Sequence, residues 1–387
     1  MVVVVASVAS VLAMAACGGN SAGSAGAPPT TGVGSPSASP GSSTPAQPLR
    51  TGERFVDLAM SKPYTPSAPN GGTDEYRCLV IDPHLTKAQF LTGTQFQPGN
   101  VPIVHHAIVF AIPPDNAAAA RAKDAAGGGQ GWTCFGNDAV GNGKDQSWVD
   151  TWTPGAQEVV LKQNAGFPLQ PGSLIVVQIH YNLLATGGKA TGSDQSSVRL
   201  RLTDGTADTK SLVTVPLQGP IELPCAAGES GPLCNRTAAI ADVTRRFGPD
   251  VGATEAKLLQ ECGNGKPVPG NTQHCDVPVE QPMTIYAALG HMHLLGRSIK
   301  VELNPGTAKA QTLLDVANFN FDYQRLTPLP TAVDVNPGDK VRVTCTHDAT
   351  LRQKLPQLNK LPPRYVVWGD GTSDEMCLGL LTASLRS

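Results

Sequence analysis

The sequence predicts an all-β protein of two consecutive β-sandwich, jelly-roll-like domains, with a short helical insertion in the second. Three observations predict it. Short runs rich in branched residues recur along the chain, among them "VPIVHHAIVFAI", "LIVVQIHYNLL", "SVRLRL", "TIYAALGHMHLL", "SIKVELN", "DKVRVTCTH" and "YVVW", separated by turn residues. Two Pro-Gly turns, "QPGS" at 170–173 and "NPGD" at 336–339, each lead into such a run, which hints at two domains of like architecture. Fair helical periodicity is found in one segment, roughly 237–261, bracketed by Cys234 and Cys262.

Taken in order, residues 1–17, "MVVVVASVASVLAMAAC", form an apolar run too short to span a bilayer as a stable helix and read as an export signal. Its end, "MAAC", resembles a bacterial lipoprotein box, which implies that Cys17 is lipidated and becomes the first residue of the mature protein. Residues 18–50 are mostly Gly, Ser, Ala, Pro and Thr, a composition that cannot bury enough surface to fold, so they read as a disordered tether. The domains follow at 51–212 and 213–387. The expectation is an exported, cell-envelope lipoprotein on the extracytoplasmic face, touching the membrane only through its lipid anchor.

Charge argues against one class of partner. The chain has 29 basic and 31 acidic residues among 387, and charged residues are 16% of the total, so the balance gives no basic surface to argue from and no nucleic-acid partner is expected. Cysteine usage agrees with export. Setting Cys17 apart leaves Cys78, Cys134, Cys225, Cys234, Cys262, Cys275, Cys345 and Cys377, an even set for which four disulfides are the expectation in an oxidising compartment. No CxxC pair is present to suggest a zinc ribbon or a thioredoxin-like site.

The chemistry lies in the histidines. His105, His106, His180, His291 and His293 fall in strand-like apolar runs, whereas His84, His274 and His347 look like ordinary loop or surface residues. Burying imidazoles costs free energy unless their nitrogens are paired. In "GHMHLLG", His291 and His293 project from one strand face with Met292 on the other, a two-nitrogen clamp for a metal or a pair bonded to backbone carbonyls. The adjacent His105 and His106 would point to opposite faces of a regular strand, so both reach one ion only if a bulge or strong twist re-aims a ring. His180, in "VVQIHYN", offers a third nitrogen, and three imidazoles suit copper, zinc or iron. In "DEMCLGLL", Met376 offers a thioether, which beside two imidazoles favours Cu(I) over zinc; taken alone it could equally fill a core.

Together, HH, QxHY, HxH followed by LLGR, and DEMC resemble the copper type II, ascorbate-dependent monooxygenases, the family of dopamine β-hydroxylase and peptidylglycine α-hydroxylating monooxygenase, over roughly residues 70–385. The resemblance implies two β-sandwich domains with two coppers facing each other across a solvent-filled cleft. His105, His106 and His180 would hold the electron-transfer copper. His291, His293 and Met376 would hold the oxygen-binding copper and form the catalytic set. Tyr76 and Cys78 in "DEYRC", and Gln178, match segments near the first copper.

The implied reaction is hydroxylation of an aliphatic C–H bond with O2 and with ascorbate or another one-electron donor. In the peptide-hydroxylating branch an arginine and a tyrosine hold the substrate carboxylate; here those positions are Leu289 and Leu380, which points to a small, mostly apolar or aromatic substrate. The resemblance also implies a disulfide between Cys345 and Cys377. Cys78 with Cys134 is the next expected pair, the other four cysteines staying open. The alternative is a non-catalytic copper-binding or copper-storage lipoprotein, which needs only the ligands. A zinc hydrolase is the poorer third reading, since no carboxylate is placed as a general base and methionine is a strange zinc ligand.

Overall fold

A computed structural model describes residues 45–134, 140 and 147–386. The export signal, Cys17 with its expected lipidation, and residues 18–44 of the tether lie outside the described residues. In chain order the elements are β1 Glu53–Ala59, β2 Asp74–Ile81, β3 Gln89–Gln97, β4 Val104–Ile112, helix α1 Pro114–Ala126, β5 Trp132–Thr133, β6 Ser147–Trp152, β7 Val159–Val160, β8 Ala165–Leu169, β9 Leu174–Asn182, β10 Ser197–Thr203 and β11 Lys210–Ser211. They continue with β12 Val213–Gln218, α2 Arg236–Phe247, α3 Pro249–Gly263, β13 Thr272–Pro278, β14 Met283–His291, β15 Gly296–Leu303, β16 Gln311–Val316, β17 Thr327–Val335, β18 Lys340–His347, the short α4 Leu351–Lys354 and β19 Leu378–Leu385. The fold is all-β and sandwich-like.

Strands β1 to β11 make two sheets, ordered β1-β10-β3-β8-β11 with β7 on β3, and β5-β2-β9-β4-β6; strands β12 to β19 make two more, β12-β19-β14-β17 and β13-β18-β15-β16. One core lies between the first two sheets, where Val109, Val177 and Ile179 meet Leu91, Leu200 and Leu202. A second lies between the other two, where Ile285, Leu289 and Leu381 meet Ile299, Val301 and Val343. The runs "VHHAIVFAI" and "LIVVQIHYN" show no polar alternation because β4 and β9 are covered on both faces. Their outer face packs Ile108, Phe110 and Val176 under α1 and the Cys78–Cys134 pair.

Both Pro-Gly turns form as read. Ser173 N donates to Gln170 O and Asp339 N to Asn336 O, each at 3.0 Å, and Gly172 (φ 78°) and Gly338 (φ 100°) take the positive φ that such a turn requires after proline.

Three expectations need correction. The helical stretch 237–261 is two helices, because Gly248 (φ 97°) followed by Pro249 cannot continue the first one. Helix α1 was not expected; its Ala-rich sequence buries only Ala120, so it is helical by propensity and carries no apolar stripe. The tether ends before residue 50, since the buried Arg201 guanidinium donates to Gln47 O (2.7 Å) and Pro48 O (3.0 Å), docking these residues on the body.

All eight cysteines after Cys17 are paired, as Cys78–Cys134, Cys225–Cys234, Cys262–Cys275 and Cys345–Cys377, which fits an extracytoplasmic, oxidising compartment. Among the described residues no helix is long and apolar enough to cross a membrane. Loop length ranks the bridges. The 32-residue separation of Cys345–Cys377 stabilises by about 4 kcal/mol and the 9-residue separation of Cys225–Cys234 by about 2.5 kcal/mol in the chain-entropy account. Double alanine variants should therefore lower the urea midpoint more for the first pair; the reverse order would show that chain entropy does not set these contributions.

Candidate metal centre

The first histidine set is assembled by an irregularity. β4 runs antiparallel to β9 with Val104 opposite Tyr181 and His106 opposite His180, so His105 is an extra residue on β4. This bulge is what re-aims an adjacent pair that a regular strand would split. His105 Nδ1 lies 3.3 Å from His106 Nδ1, which lies 3.2 Å from His180 Nδ1, and the three side chains offer donor atoms all within 4.8 Å of one another. His180 Nε2 meets Asp74 Oδ1 at 2.9 Å, and Tyr76 stacks on the His180 ring at 4.2 Å with its hydroxyl donating to Asp370 O at 2.6 Å.

The second set sits where β14 ends. Gly290 before it permits close sheet packing, because a Cβ there would lie 2.6 Å from the Ile299 side chain. His291 and His293 rings lie 5.2 Å apart while Met292 is fully buried in the core, as the alternation predicts. His291 Nδ1 meets Gln324 Oε1 at 2.7 Å, and His293 Nδ1 meets the carbonyl of Asp374 at 3.2 Å. Met376 is buried two residues before β19 and lines one cavity with His106 and His291.

The two sets approach closely beside this cavity: His106 and His291 rings lie 5.5 Å apart, and His105 stacks on Phe321 at 4.0 Å, which in turn lies 6.1 Å from His293. The cavity of about 640 Å3 has a mixed wall: Phe110, Trp148, Leu289 and Leu380 are apolar, Gln178 and Asp370 are polar, and the helical insertion adds Phe247, Val251, Asp250 and Lys257. Leu289 and Leu380 face each other across the β14–β19 pair.

Residues 369–375 join the sets, and sequence reasoning missed how. Thr372 donates to Asp74 through its backbone N (3.2 Å) and its hydroxyl. Glu375 accepts from His293 N (2.9 Å) and Leu295 N (2.6 Å). Asp370 lines the cavity with Oδ2 lacking a hydrogen-bond partner, and burial, then the Asp374 charge, pushes its carboxyl up to about 7. Asp374 and Glu375 stood in plain view in "DEMC", and Asp74 in "DEYRC", but nothing local gave their partners. His347 also corrects the sequence reading: it is buried, with Nε2 3.3 Å from Glu375 Oε2, whereas His84 and His274 are exposed. Gln178 is buried with its amide nitrogen 3.5 Å from Cys134 Sγ.

The donor chemistry fits a metal. Asp74 stays ionised: burial would raise its carboxyl, but the hydrogen bonds from His180 and Thr372 hold it below the usual range. A carboxylate only accepts, so His180 Nε2 carries the proton and Nδ1 presents a lone pair toward His106. One proton on His106 Nδ1 cannot serve both neighbours, whereas a single cation shared by the three nitrogens would satisfy them together. Two nitrogens bound to one ion in tetrahedral geometry would lie about 3.3 Å apart, given bonds of about 2.0 Å. In the second set Gln324 Oε1 and Asp374 O take the Nδ1 protons, leaving both Nε2 lone pairs, and His293 Nε2 has no hydrogen-bond partner. Two imidazoles with a thioether nearby suit a soft ion.

Burial, then neighbouring imidazoles, depresses His105 and His106 well below the ordinary histidine range and takes His291 down to about 3; burial also lowers His293, outweighing the Glu375 charge. The unfolded chain therefore takes up protons below about pH 6.5 while the native imidazoles do not. Stability from these groups is fully present above that pH and is lost as pH falls, by about 1.4 kcal/mol per pH unit per histidine. Urea midpoints of the metal-free protein should drop steeply between pH 6.5 and pH 4.5, and less steeply with His291→Asn. A flat profile would contradict the neutral, buried imidazoles.

Residues 270–382 match the sequence model of the copper type II ascorbate-dependent monooxygenase family, C-terminal domain. A Homo sapiens protein named putative DBH-like monooxygenase protein 2 is 30% identical over 95 residues, which are 24% of this chain and 17% of that protein. Among solved structures, the major capsid protein P2 of bacteriophage PM2 aligns over 86% of this chain and 98% of its own at 10% identity and a TM-score of 0.30. A fucolectin from striped bass, Morone saxatilis, aligns over 81% and 85% at 6% identity and a TM-score of 0.18. At such scores neither likeness carries an argument. The matched segment holds His291, His293 and Met376, and it supports the copper type II, ascorbate-dependent monooxygenase family.

Proposed function

We propose that this chain is a copper-dependent monooxygenase that hydroxylates an aliphatic C–H bond of a small organic molecule, with two coppers per chain. The observation that carries the reading is the convergence of three buried imidazoles beside a second His–His pair, of which only the second pair lies in the segment matched to that family. His105, His106 and His180 are the ligands of an electron-transfer copper; His291, His293 and Met376 are the ligands of the oxygen-binding copper. Bound there, copper supplies one-electron chemistry toward O2, with ascorbate or another one-electron donor as reductant. One oxygen atom enters the C–H bond and the other leaves as water, with two electrons and two protons consumed.

The protein's own residues do the rest. Asp74 fixes the His180 tautomer, and Gln324 and the Asp374 carbonyl fix His291 and His293. Tyr76, stacked on His180 and bonded to Asp370 O, keeps that ring from turning. Phe110, Trp148, Leu289 and Leu380 form an apolar part of the cavity wall, which supports a small substrate with a mostly apolar or aromatic body. In the cell the chain is an envelope lipoprotein held through Cys17; mass spectrometry of the mature N-terminus should find a diacylated cysteine, and an unmodified Cys17 would rule out the anchor.

Met376 tests the assignment of roles. As mere core filler, its replacement in Met376→Ile costs less than about 1.5 kcal/mol and leaves activity intact. As the soft donor, the same variant folds, still accepts electrons at the first set, loses the copper–sulfur contact in X-ray absorption and drops oxygen-dependent hydroxylation by orders of magnitude. Oxygen consumption with ascorbate and a panel of phenethylamines supplies the activity readout. His180→Ala should abolish ascorbate-driven turnover while carbon monoxide still binds Cu(I) at the second set. Wild-type turnover in Met376→Ile would overturn the reading.

A further inference from the structure

The helical insertion borders the cavity through Phe247 and Val251. Its first helix, α2, starts at Asn235, whose side chain caps Ala238 N at 3.1 Å directly after the Cys225–Cys234 bridge; Cys262–Cys275 ties the end of α3 to β13. Ala239, Val243 and Phe247 pack against Tyr365 and Val367, just ahead of the 369–375 segment. The helix pair is thus flanked by a disulfide at each end, and α2 is packed along one side.

Near the end of α2, the buried Arg246 donates two parallel hydrogen bonds, each 2.6 Å, to the carboxylate of Asp374. Its Nε donates to Asp242 on the same helix at 2.9 Å, which holds the guanidinium plane, and Arg364 Nη1 reaches both carboxylates at 3.1 Å. Such a fork fixes orientation as well as charge. The backbone leaves no slack: a Cβ on Gly371 would lie 2.6 Å from Asp374 Oδ2 and 2.9 Å from Arg246 Nη1. The carbonyl of the clamped Asp374 is the group that takes the His293 Nδ1 proton, and Met376 follows two residues later. The same turn of α2 touches the other half, with Arg245 Nη1 donating to Asn70 O (2.9 Å) and Asn70 Nδ2 to Arg246 O (3.2 Å).

We propose that Arg246 is a positioning residue for the His291, His293 and Met376 set: the disulfide-stapled insertion holds the Asp374 carbonyl on His293 and so presents its Nε2 lone pair. This rests on the reading of that set as a metal site. Removing Arg246 leaves a buried carboxylate with one cation fewer, and the segment must shift or admit water.

The test is Cu(I) affinity of each set in the full chain, by competition with a chromophoric chelator, for wild type, Arg246→Ala, Arg246→Lys and Asp374→Asn. Arg246→Ala should weaken the second ion by about tenfold to a hundredfold and leave the first unchanged. Arg246→Lys, keeping charge but not the fork, should fall between; Asp374→Asn should resemble Arg246→Ala. Nitrogen-15 spectra of the metal-free protein should show His293 protonated at Nδ1 in wild type and a mixture of tautomers in Arg246→Ala, a readout that needs no copper. A purely structural brace would lower the melting temperature yet leave the second affinity and the His293 tautomer unchanged, and that result overturns the proposal. Should Arg246→Ala fail to fold, Arg246→Lys and Asp374→Asn decide. A wild type that binds no second Cu(I) would instead overturn the metal-site reading, and would do so before any variant is made.

Discussion

Much of this arrangement depends on the carboxylate of Asp74. It lies fully buried on β2, and an ionised group there is tolerable only with its lone pairs engaged. It takes the Nε2 proton of His180 on the neighbouring strand and two hydrogen bonds from Thr372, 298 residues away in sequence. Each partner is constrained in return. His180 is held in the tautomer that turns Nδ1 toward His106, and the 369–375 segment is held against the sheet that carries the first histidine set. The geometry of that set and of the segment leading to Met376 are therefore coupled through one side chain.

A second constraint follows from the bulge at His105. Without it, one ring of the adjacent pair would point into the apolar layer between the first two sheets, where no polar partner waits among Leu91, Leu200 and Leu202. With it, His105 turns to stack on Phe321 and brings Nδ1 to His106. The ring that accepts this stack comes from the half bearing the second set, which is why the two sets end in ring contact and not apart. Packing of Phe321 between His105 and His293 leaves little room for bulk water at that point.

Legibility in the sequence followed the range of the interaction. The strand runs, the Pro-Gly turns and the placement of His291 and His293 on one side of Met292 were readable because each is fixed by residues a few positions apart. The bulge was readable as a requirement, since two adjacent imidazoles can share a site in no regular strand. Helix α1 was invisible to a search for apolar stripes because it buries almost nothing, and the break at Gly248 was hidden by apolar spacing that continues across it. His347 looked like a surface residue because Asp348 follows it, but a strand end can lie under another segment, and here residue 375 covers it. The contacts from residue 74 to 372 and from 246 to 374 left no local trace at all. Sequence order carries no distance information across a fold of this size.

The orientation of the imidazoles decides what this place can be. Three of the five have a partner on the outer side, and all three partners are acceptors: the Asp74 carboxylate, the Gln324 amide oxygen and the Asp374 carbonyl. An acceptor outside draws the ring proton outward and leaves a lone pair facing in. Had the outer partners been donors, such as lysine or backbone N–H groups, the same rings would present N–H inward, and the interior would suit an anion. Arg246 and Arg364 do stand close by, yet their charge is spent on Asp374 and Asp242, one layer behind the rings. Neighbouring imidazoles, crowded within 6 Å of one another, oppose protonation of any one of them. Lone pairs converge where protons are disfavoured, and that combination suits a metal cation.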